Sequence, residues 1–376
     1  MSAVYRWLHL CDNTGMRPLR GTLWVLVLYD VAEEILLDKL QALVTAERAA
    51  AQPRFKHPAP EYVRFERPPV VEYPEPVSIA GEQFRARIRY FDYGVVSIEL
   101  EMEFERSWED LIQFSNRWIL APEIERATSD VIRARLDKVV PALRIRYANP
   151  LSEDYYIIHL REALDDNGQP LTAAAMLAQH GAQLAQIVRG ESSPLSESEC
   201  NEVLHSSLSY YPTDLLVAGW VAALVYDTPE GAAPTIQLLE YANTQLLEFR
   251  HYDDVLTRVL QNVYKMLERR GGLFRRWRMA REAERLNTLR LDVIELTEHT
   301  DNAIKFLSDM FYARAHRIAA MRIGVPDYRN LVDDKLRTAG ELYDFMVNEF
   351  HQARAFVLEV MVVAILVIEL VRVFVP

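Results

Sequence analysis

Apolar and polar residues alternate in two runs within Gln83–Glu105, and this alternation predicts two antiparallel strands. The first strand alternates arginines with apolar residues, and the second alternates acidic with apolar residues. Gly94 lies between them, where a short loop with a left-handed glycine closes a hairpin. Because a slip of one residue would move every side chain to the other face, the register is well specified. The predicted pairs are Arg87 with Glu99, Arg85 with Glu101, and Ile88 with Ile98.

The rest of the N-terminal half predicts further alternating elements. Thr22–Tyr29 is a short apolar, β-branched run typical of a buried strand, and a helix follows it. Residues 53–76 are rich in proline and predict a loop. After the hairpin come a helix over about 108–140 and a strand at Tyr155–Leu160, so the order is β-α-β-β-α-β. That order is typical of a ferredoxin-like sandwich. The apolar segment Asp214–Asp227 is predicted to be buried core.

From Pro234 onward the apolar period becomes helical. Gly271-Gly272 and then Gly324 with Pro326 divide this region into three helices. The middle helix has apolar residues at alternating steps of three and four, which predicts a coiled-coil seam. The seam residues are Leu286, Leu289, Val293, Leu296 and Leu307. Such a seam requires a partner surface, so a protein partner or a homo-oligomer is expected.

The third helix continues into a strongly apolar tail. From Phe356 to Val375, 17 of 20 residues are apolar, and the exceptions are Glu359, Glu369 and Arg372. Twenty helical residues match the thickness of a hydrocarbon core, so the tail predicts a C-terminal transmembrane helix. The alternative is a helix buried in the bundle or in the core of an oligomer.

Together these elements predict an α+β protein. Its N-terminal ferredoxin-like α/β sandwich would be followed by long coiled-coil helices and a C-terminal transmembrane helix. The predicted boundaries are 1–232 for the α+β domain, 233–354 for the coiled-coil region and 355–376 for the membrane helix.

One basic cluster stands out in a chain whose formal net charge is −12. It comprises Arg269, Arg270, Arg275, Arg276, Trp277, Arg278 and Arg281. Arginines among apolar residues suit contact with anionic lipid headgroups, and contact with RNA phosphate is the alternative. A solvated loop is the simplest explanation of the cluster. The acidic chain as a whole argues against general nucleic-acid binding.

Residues with the spacing of known reactive sites are missing from the sequence. The nine histidines are scattered without zinc-site spacing, and Cys11 and Cys200 are isolated thiols typical of a reducing compartment. No phosphate-binding glycine motif or nucleophile elbow occurs. The sequence therefore predicts no catalytic, cofactor-binding or metal-binding residues.

Several short motifs, taken in order, resemble those of a known family. They are Phe91-Asp92-Tyr93-Gly94-Val95-Val96, Tyr226-Asp227-Thr228-Pro229-Glu230, Leu246-Leu247-Glu248-Phe249-Arg250, Leu358-Glu359 and Ile368-Glu369. The set resembles the required for meiotic nuclear division 1 / Sad1-interacting factor 2 family, also called domain of unknown function 155. The resemblance implies an α+β domain, a coiled coil and a C-terminal membrane helix, with mitochondrial members associated with the inner membrane and organellar translation. It implies no catalytic residues. Gly231-Ala232-Ala233 replaces an aromatic pair that the family pattern has after the Asp-Thr-Pro turn.

The function expected from the sequence is that of a non-enzymatic scaffold or tether for a membrane-proximal complex. Its location would be a membrane crossed once, a bacterial inner membrane or equivalent organelle membrane, with most of the chain on the cytoplasmic side. The alternative is a peripheral or soluble enzyme with a pocket in the α+β domain. An organised polar cluster in a deep pocket would favour the enzyme.

Overall fold

The strand and helix patterns assemble into two units of the chain. The computed structural model describes residues 18–48, 67–119, 121–165, 167–268, 281, 284–295 and 310–374. The first unit comprises Met1–Leu247 with Ala303–Val325, and the second comprises Glu248–Asn302 with Pro326–Pro376.

A mixed β-sheet forms the centre of the first unit. Its strands are β1 (Leu19–Ile35), β2 (Val70–Glu72), β3 (Val77–Ile79), β4 (Glu82–Tyr90), β5 (Val95–Arg106), β6 (Leu143–Glu162), β7 (Leu215–Ala218) and β8 (Ala222–Tyr226). The described strands are ordered β2-β4-β5-β1-β6-β8-β7, and β3 pairs with β4. Neighbours run antiparallel except β6 and β8, which are parallel. The unit is therefore α+β with a mixed sheet.

The helices alternate with these strands and then dominate the chain. They are α1 (Leu37–Arg48), α2 (Trp108–Trp118), α3 (Pro122–Val139), α4 (Ala173–Arg189), α5 (Glu197–Leu204), α6 (Pro229–Glu268), α7 (284–295), α8 (Met310–Ile323) and α9 (Val325–Phe374). Thr228 precedes Pro229 and its hydroxyl accepts from the Gly231 N–H over 3.2 Å, which caps the start of α6. Because proline suits the first helical turn, Pro229 rather than Pro234 begins this helix.

The β4–β5 hairpin has the register that the charge alternation predicts. Arg87 lies opposite Glu99, Arg85 opposite Glu101, and Ile88 opposite Ile98. Gly94 adopts φ +95°, and a Cβ at that position would lie 1.8 Å from the Ala32 carbonyl oxygen. Glycine is therefore required there for both conformation and space.

Both faces of the sheet are covered. On one face, alternate residues of β1 such as Leu23 and Val25 share a core with helices α2, α3 and α4. The other alternate residues of β1, such as Leu26 and Leu28, are also fully buried. On that second face the first half of α6 contacts the strands through polar residues. A strand buried on both faces is apolar throughout, which explains the unbroken apolar run of β1.

The second unit is built from helices. Val259 and Val263 of α6, Leu286 of α7 and Ala339 and Met346 of α9 share one buried core. Lys335 of α9 adds polar contacts to α6, donating to Asp253 Oδ1 over 2.5 Å and to Thr257 Oγ1 over 2.6 Å.

Three expectations from the sequence need correction. Val70–Glu72, within the segment predicted as loop, is a strand paired with β4. The ferredoxin-like order describes only β1, β4, β5 and β6, because β7 and β8 extend the sheet and a parallel pair makes it mixed. The predicted buried segment Asp214–Asp227 supplies these two strands, whose residues are buried, but Trp220 between them is 53% exposed.

The third correction concerns the tail. In the described part of the chain, no helix combines the length and apolarity that crossing a bilayer requires. Glu359 and Glu369 limit the uncharged run to 360–368, far below the roughly 20 residues that a span needs. The predicted C-terminal transmembrane helix, the tail anchor and the single-pass membrane location are wrong.

Candidate functional site

Four charged side chains meet between the sheet and α6, and we call them the Arg–Glu cluster: Arg87, Arg89, Glu99 and Glu240. Arg89 Nε lies 2.7 Å from Glu99 Oε1, and Arg89 Nη1 donates to Glu240 Oε2 over 2.8 Å. Arg87 Nε donates to Glu99 Oε2 over 2.9 Å. The side chains of Arg89, Glu99 and Glu240 are 8%, 1% and 3% exposed. Charges this deeply buried require close partners, and the cluster supplies them.

Strand periodicity explains how the hairpin contributes three of these four groups. Residues two apart on a strand point to the same face, so Arg87 and Arg89 share a face. Arg87 pairs directly with Glu99 across the hairpin, and Arg89 reaches the same carboxylate diagonally. The Arg87 guanidinium also lies 5.6 Å from the Trp24 ring centre on β1. The fourth group, Glu240, comes from α6.

Electrostatics distinguish Glu240 from the other members of the cluster. Burial raises the pKa of its carboxyl from 4.5 to about 7, and the Arg89 guanidinium opposes this rise. The group therefore changes charge near neutral pH. Acid–base chemistry would require a substrate within hydrogen-bond reach of this carboxyl. Its contact with Arg89 instead joins α6 to the sheet.

A second polar contact repeats this connection nearby. Tyr93, in the turn between β4 and β5, donates from its hydroxyl to Thr244 Oγ1 on α6 over 2.9 Å. Together with the Arg–Glu cluster it binds two successive turns of α6 to the hairpin. Among the residues that the structure describes, no three or more His, Cys, Asp or Glu side chains form a group that could hold a metal ion.

Two histidines of the first unit, His159 and His316, are also buried. His159 on β6 contacts the Asp227 carbonyl oxygen through Nε2 over 3.0 Å, and burial lowers its pKa. His316 on α8 is buried beside Tyr241, with ring centres 5.8 Å apart, and burial lowers its pKa to about 4. Helix α8 is held to α5 by Arg322, which donates to the Glu202 carbonyl oxygen over 2.9 Å.

Among the described residues, α9 carries an unusual surface. The apolar segment, residues 358–370, has its large side chains between 50% and 63% exposed. They are Leu358, Val360, Met361, Val362, Val363, Ile365, Leu366, Val367, Ile368 and Leu370. Soluble monomers rarely expose a continuous apolar surface of this extent, and such a patch marks an interaction site.

The site residues predicted from the sequence differ in burial, and several lie outside the described residues. Arg281 is exposed. Leu286 is buried in the core of the second unit, Leu289 packs against it, and Val293 is buried. Glu359 and Glu369 are exposed on α9 at the borders of the apolar segment. The remaining predicted residues lie outside the described part of the chain: Arg269, Arg270, Arg275, Arg276, Trp277, Arg278, Leu296 and Leu307.

The sequence patterns do not predict that these four charged residues form one cluster. The alternating charges predict the Arg87–Glu99 pair, but nothing near Glu240 in the sequence indicates that it meets Arg89. The signal available was an acidic residue within an apolar stretch of α6, surrounded by Leu238, Leu239 and Ala242. A charge among buried apolar residues points to a buried ionic partner.

Comparison with known proteins identifies relatives of the first unit. The family model described as "Uncharacterized protein MJ0711, N-terminal domain" matches residues 20–233. The uncharacterized protein MJ0711 of Methanocaldococcus jannaschii is 19% identical over 235 residues, which cover 62% of this chain and 70% of that protein. No solved structure matches. The matched region contains all of the described sheet except Leu19, together with the start of α6.

These relatives correct the family inferred from short motifs. The match is to an archaeal family, and nothing points to the meiotic nuclear division / Sad1-interacting factor family. That resemblance is wrong. Its motifs were short and separated by long intervals, so each could arise from ordinary turn and helix sequences.

Proposed function

We propose that this chain, which belongs to the family of the MJ0711 N-terminal domain, is a non-enzymatic scaffold. Its helical unit would assemble a protein complex, and the apolar segment of α9 would be the contact surface. The exposure of that segment is the observation that carries the proposal. Burying one large apolar side chain contributes about 1.5–3 kcal/mol, so ten half-exposed ones provide ample driving force for association.

The upstream part of α9 supports this role. Ala339 and Met346 are 3% and 2% exposed because they pack against α6 within the second unit. The same helix thus has one stretch covered by its own chain and one stretch that remains uncovered. A helix that continues past its own core with an apolar surface suits binding to another protein.

The Arg–Glu cluster supports a structural role for the first unit. Its two carboxylates each contact an arginine of the same unit, so the strongest polar interactions of the site are internal. A buried, internally paired network rigidifies a fold and specifies how its elements pack. The first unit would then provide a stable platform on which α6 is fixed.

Chemical crosslinking followed by quantitative mass spectrometry tests the proposal in the native cell. Full-length wild type, Val367→Glu and Leu331→Glu would be compared at equal abundance. Leu331 is 48% exposed on α9 and lies outside the apolar segment. We expect a set of crosslinked proteins, which can include the chain itself, that Val367→Glu loses and Leu331→Glu retains. Identical crosslinked sets for wild type and Val367→Glu would overturn the proposal, because the apolar segment would then contact no protein.

A further inference from the structure

The apolar segment continues a packing stripe that is already used inside the second unit. Ala339, Tyr343 and Met346 are separated by four and three residues, and all three belong to or pack against the helical core. In the sequence the same alternating step continues from Met346 and arrives at Val360, Ala364 and Val367. We call these last three the distal stripe. Alternating steps of three and four are the spacing of helix-to-helix packing.

Charges on the apolar segment avoid this stripe. On a helix that advances roughly 100° per residue, Glu369 falls opposite the distal stripe, and Glu359 and Arg372 lie roughly 110° from its centre. Val362 lies beside Glu369, away from the stripe. The three charges are therefore kept off the stripe, although Leu358, Ile365 and Leu366 make the side that carries them largely apolar as well. The charges are positioned for solvent when the distal stripe packs against another helix.

We propose that the occupant of the distal stripe is the same helix of a second copy of this chain. This inference rests on the proposed function and names the partner. A stripe of valines around one alanine is self-complementary, because the small Ala364 lets two backbones approach and the valines pack beside it. A two-fold arrangement covers the stripe on both copies with one contact and leaves the three charged side chains of each copy in solvent.

Charge opposes a like partner less at this segment than over the rest of the chain. The described segment from Leu358 to Arg372 carries two glutamates and one arginine, so it is close to neutral within a chain whose formal net charge is −12. Two such chains repel each other through most of their surface, but least along this segment. The distal stripe is also continuous with the core of the second unit. Helix α9 runs unbroken from Val325 to Phe374, so the distal stripe keeps the spacing of the buried residues before it.

The oligomeric state of the full chain tests this inference by light scattering after size-exclusion chromatography. Wild type should have a multiple of the 43.5 kDa chain mass. Val367→Glu should lose the dimer and elute with the mass of one chain, since it places a charge in the stripe. Val362→Glu is the matched control, with the same substitution at similar exposure (56% against 53%), and should retain the wild-type mass.

Two results would overturn the inference. Wild type that is monomeric at micromolar concentration would show that a second copy does not occupy the stripe. Equal loss of association in both variants would show that contact is not directed by the stripe. Far-ultraviolet circular dichroism would confirm that each variant keeps its helices. If wild type is monomeric but Val367→Glu still loses other crosslinked proteins, the scaffold proposal survives and only the identity of the partner fails.

Discussion

Arg89 on β4 and Glu240 on α6 are 151 residues apart in sequence, yet Arg89 Nη1 donates to Glu240 Oε2 over 2.8 Å. Arg89 also contacts Glu99, so one guanidinium neutralises two buried carboxylates. Removing it would leave Glu240 without its contacting guanidinium and Glu99 with Arg87 alone, in a site of low dielectric. The arginine is therefore the central residue of the contact between the sheet and α6.

We expect Arg89→Met to lower the free energy of unfolding by about 3–5 kcal/mol, the cost of breaking a buried ion pair from one side. Urea denaturation of the full chain measures this change. Arg85→Met is the matched control on the same strand, because Arg85 is 66% exposed and its contact with Glu101 is a surface ion pair. Such pairs contribute about 0–1 kcal/mol. Equal losses in the two variants would contradict the assigned role of Arg89.

The raised pKa of Glu240 predicts that the free energy of unfolding decreases as pH rises. Burial raises its folded-state pKa from 4.5 to about 7, so between these values the folded protein retains a proton that the unfolded chain releases. The stabilising contribution is complete below pH 4.5 and is lost as pH rises towards about 7. Glu240→Gln should remove this slope from urea midpoints measured across the window. Glu105→Gln, at an exposed carboxylate of β5, should leave it unchanged. A slope that persists in Glu240→Gln would assign the titration to another group.

The lowered pKa of His316 predicts the opposite effect at lower pH, where the free energy of unfolding should decrease as pH falls. Burial depresses its pKa from 6.5 to about 4, so the unfolded chain binds a proton that the folded protein excludes. Stability should therefore fall as pH decreases from 6.5 towards about 4. His316→Gln should reduce this dependence, and His205→Gln, at an exposed position of the same unit, should not. If both variants keep the wild-type profile below pH 6.5, the His316 side chain is accessible to protons in the folded state.

Local patterns in the sequence predicted local structure well. Alternating arginine, glutamate and apolar residues specified the β4–β5 hairpin to the residue, because both strands and their turn lie within 25 consecutive positions. Contacts between distant segments were not predictable in this way. Strand β2 forms in a proline-rich stretch because β4 offers it backbone partners. Strand β8 pairs in parallel with β6, although β6 ends at Glu162 and β8 begins only at Ala222.

The tail shows why composition alone misled. Apolar content suggested a membrane helix, whereas Glu359 and Glu369 interrupt the run before it reaches spanning length. The Arg–Glu cluster illustrates the complementary limit. Its hairpin half follows from strand periodicity, but Glu240 reaches Arg89 only because α6 folds back over the sheet. The sequence around Glu240 contains no pattern that predicts this packing of α6 on the sheet.

The helical core of the second unit provides a test that is independent of the first. Leu286 and Leu291 lie on the same helix, but Leu286 is 2% exposed and Leu291 is 59% exposed. Leu286→Ala should lower the free energy of unfolding by about 2–5 kcal/mol, since it removes buried methylene groups and leaves a cavity. Leu291→Ala should change it by less than about 0.5 kcal/mol. Thermal unfolding followed by circular dichroism compares the two. Similar melting temperatures would show that α7 is not part of this core.

Hydrogen–deuterium exchange of α9 at increasing protein concentration tests the central claim most directly, that another copy of the chain covers the apolar segment. Peptides spanning 358–370 should gain protection as concentration rises, because assembly buries the helix and suppresses its opening. Peptides around Ala339 and Met346 should stay constant, since their own chain already covers them. Val367→Glu should abolish the concentration dependence. Protection over 358–370 that is independent of concentration, and equal in wild type and Val367→Glu, would contradict the account.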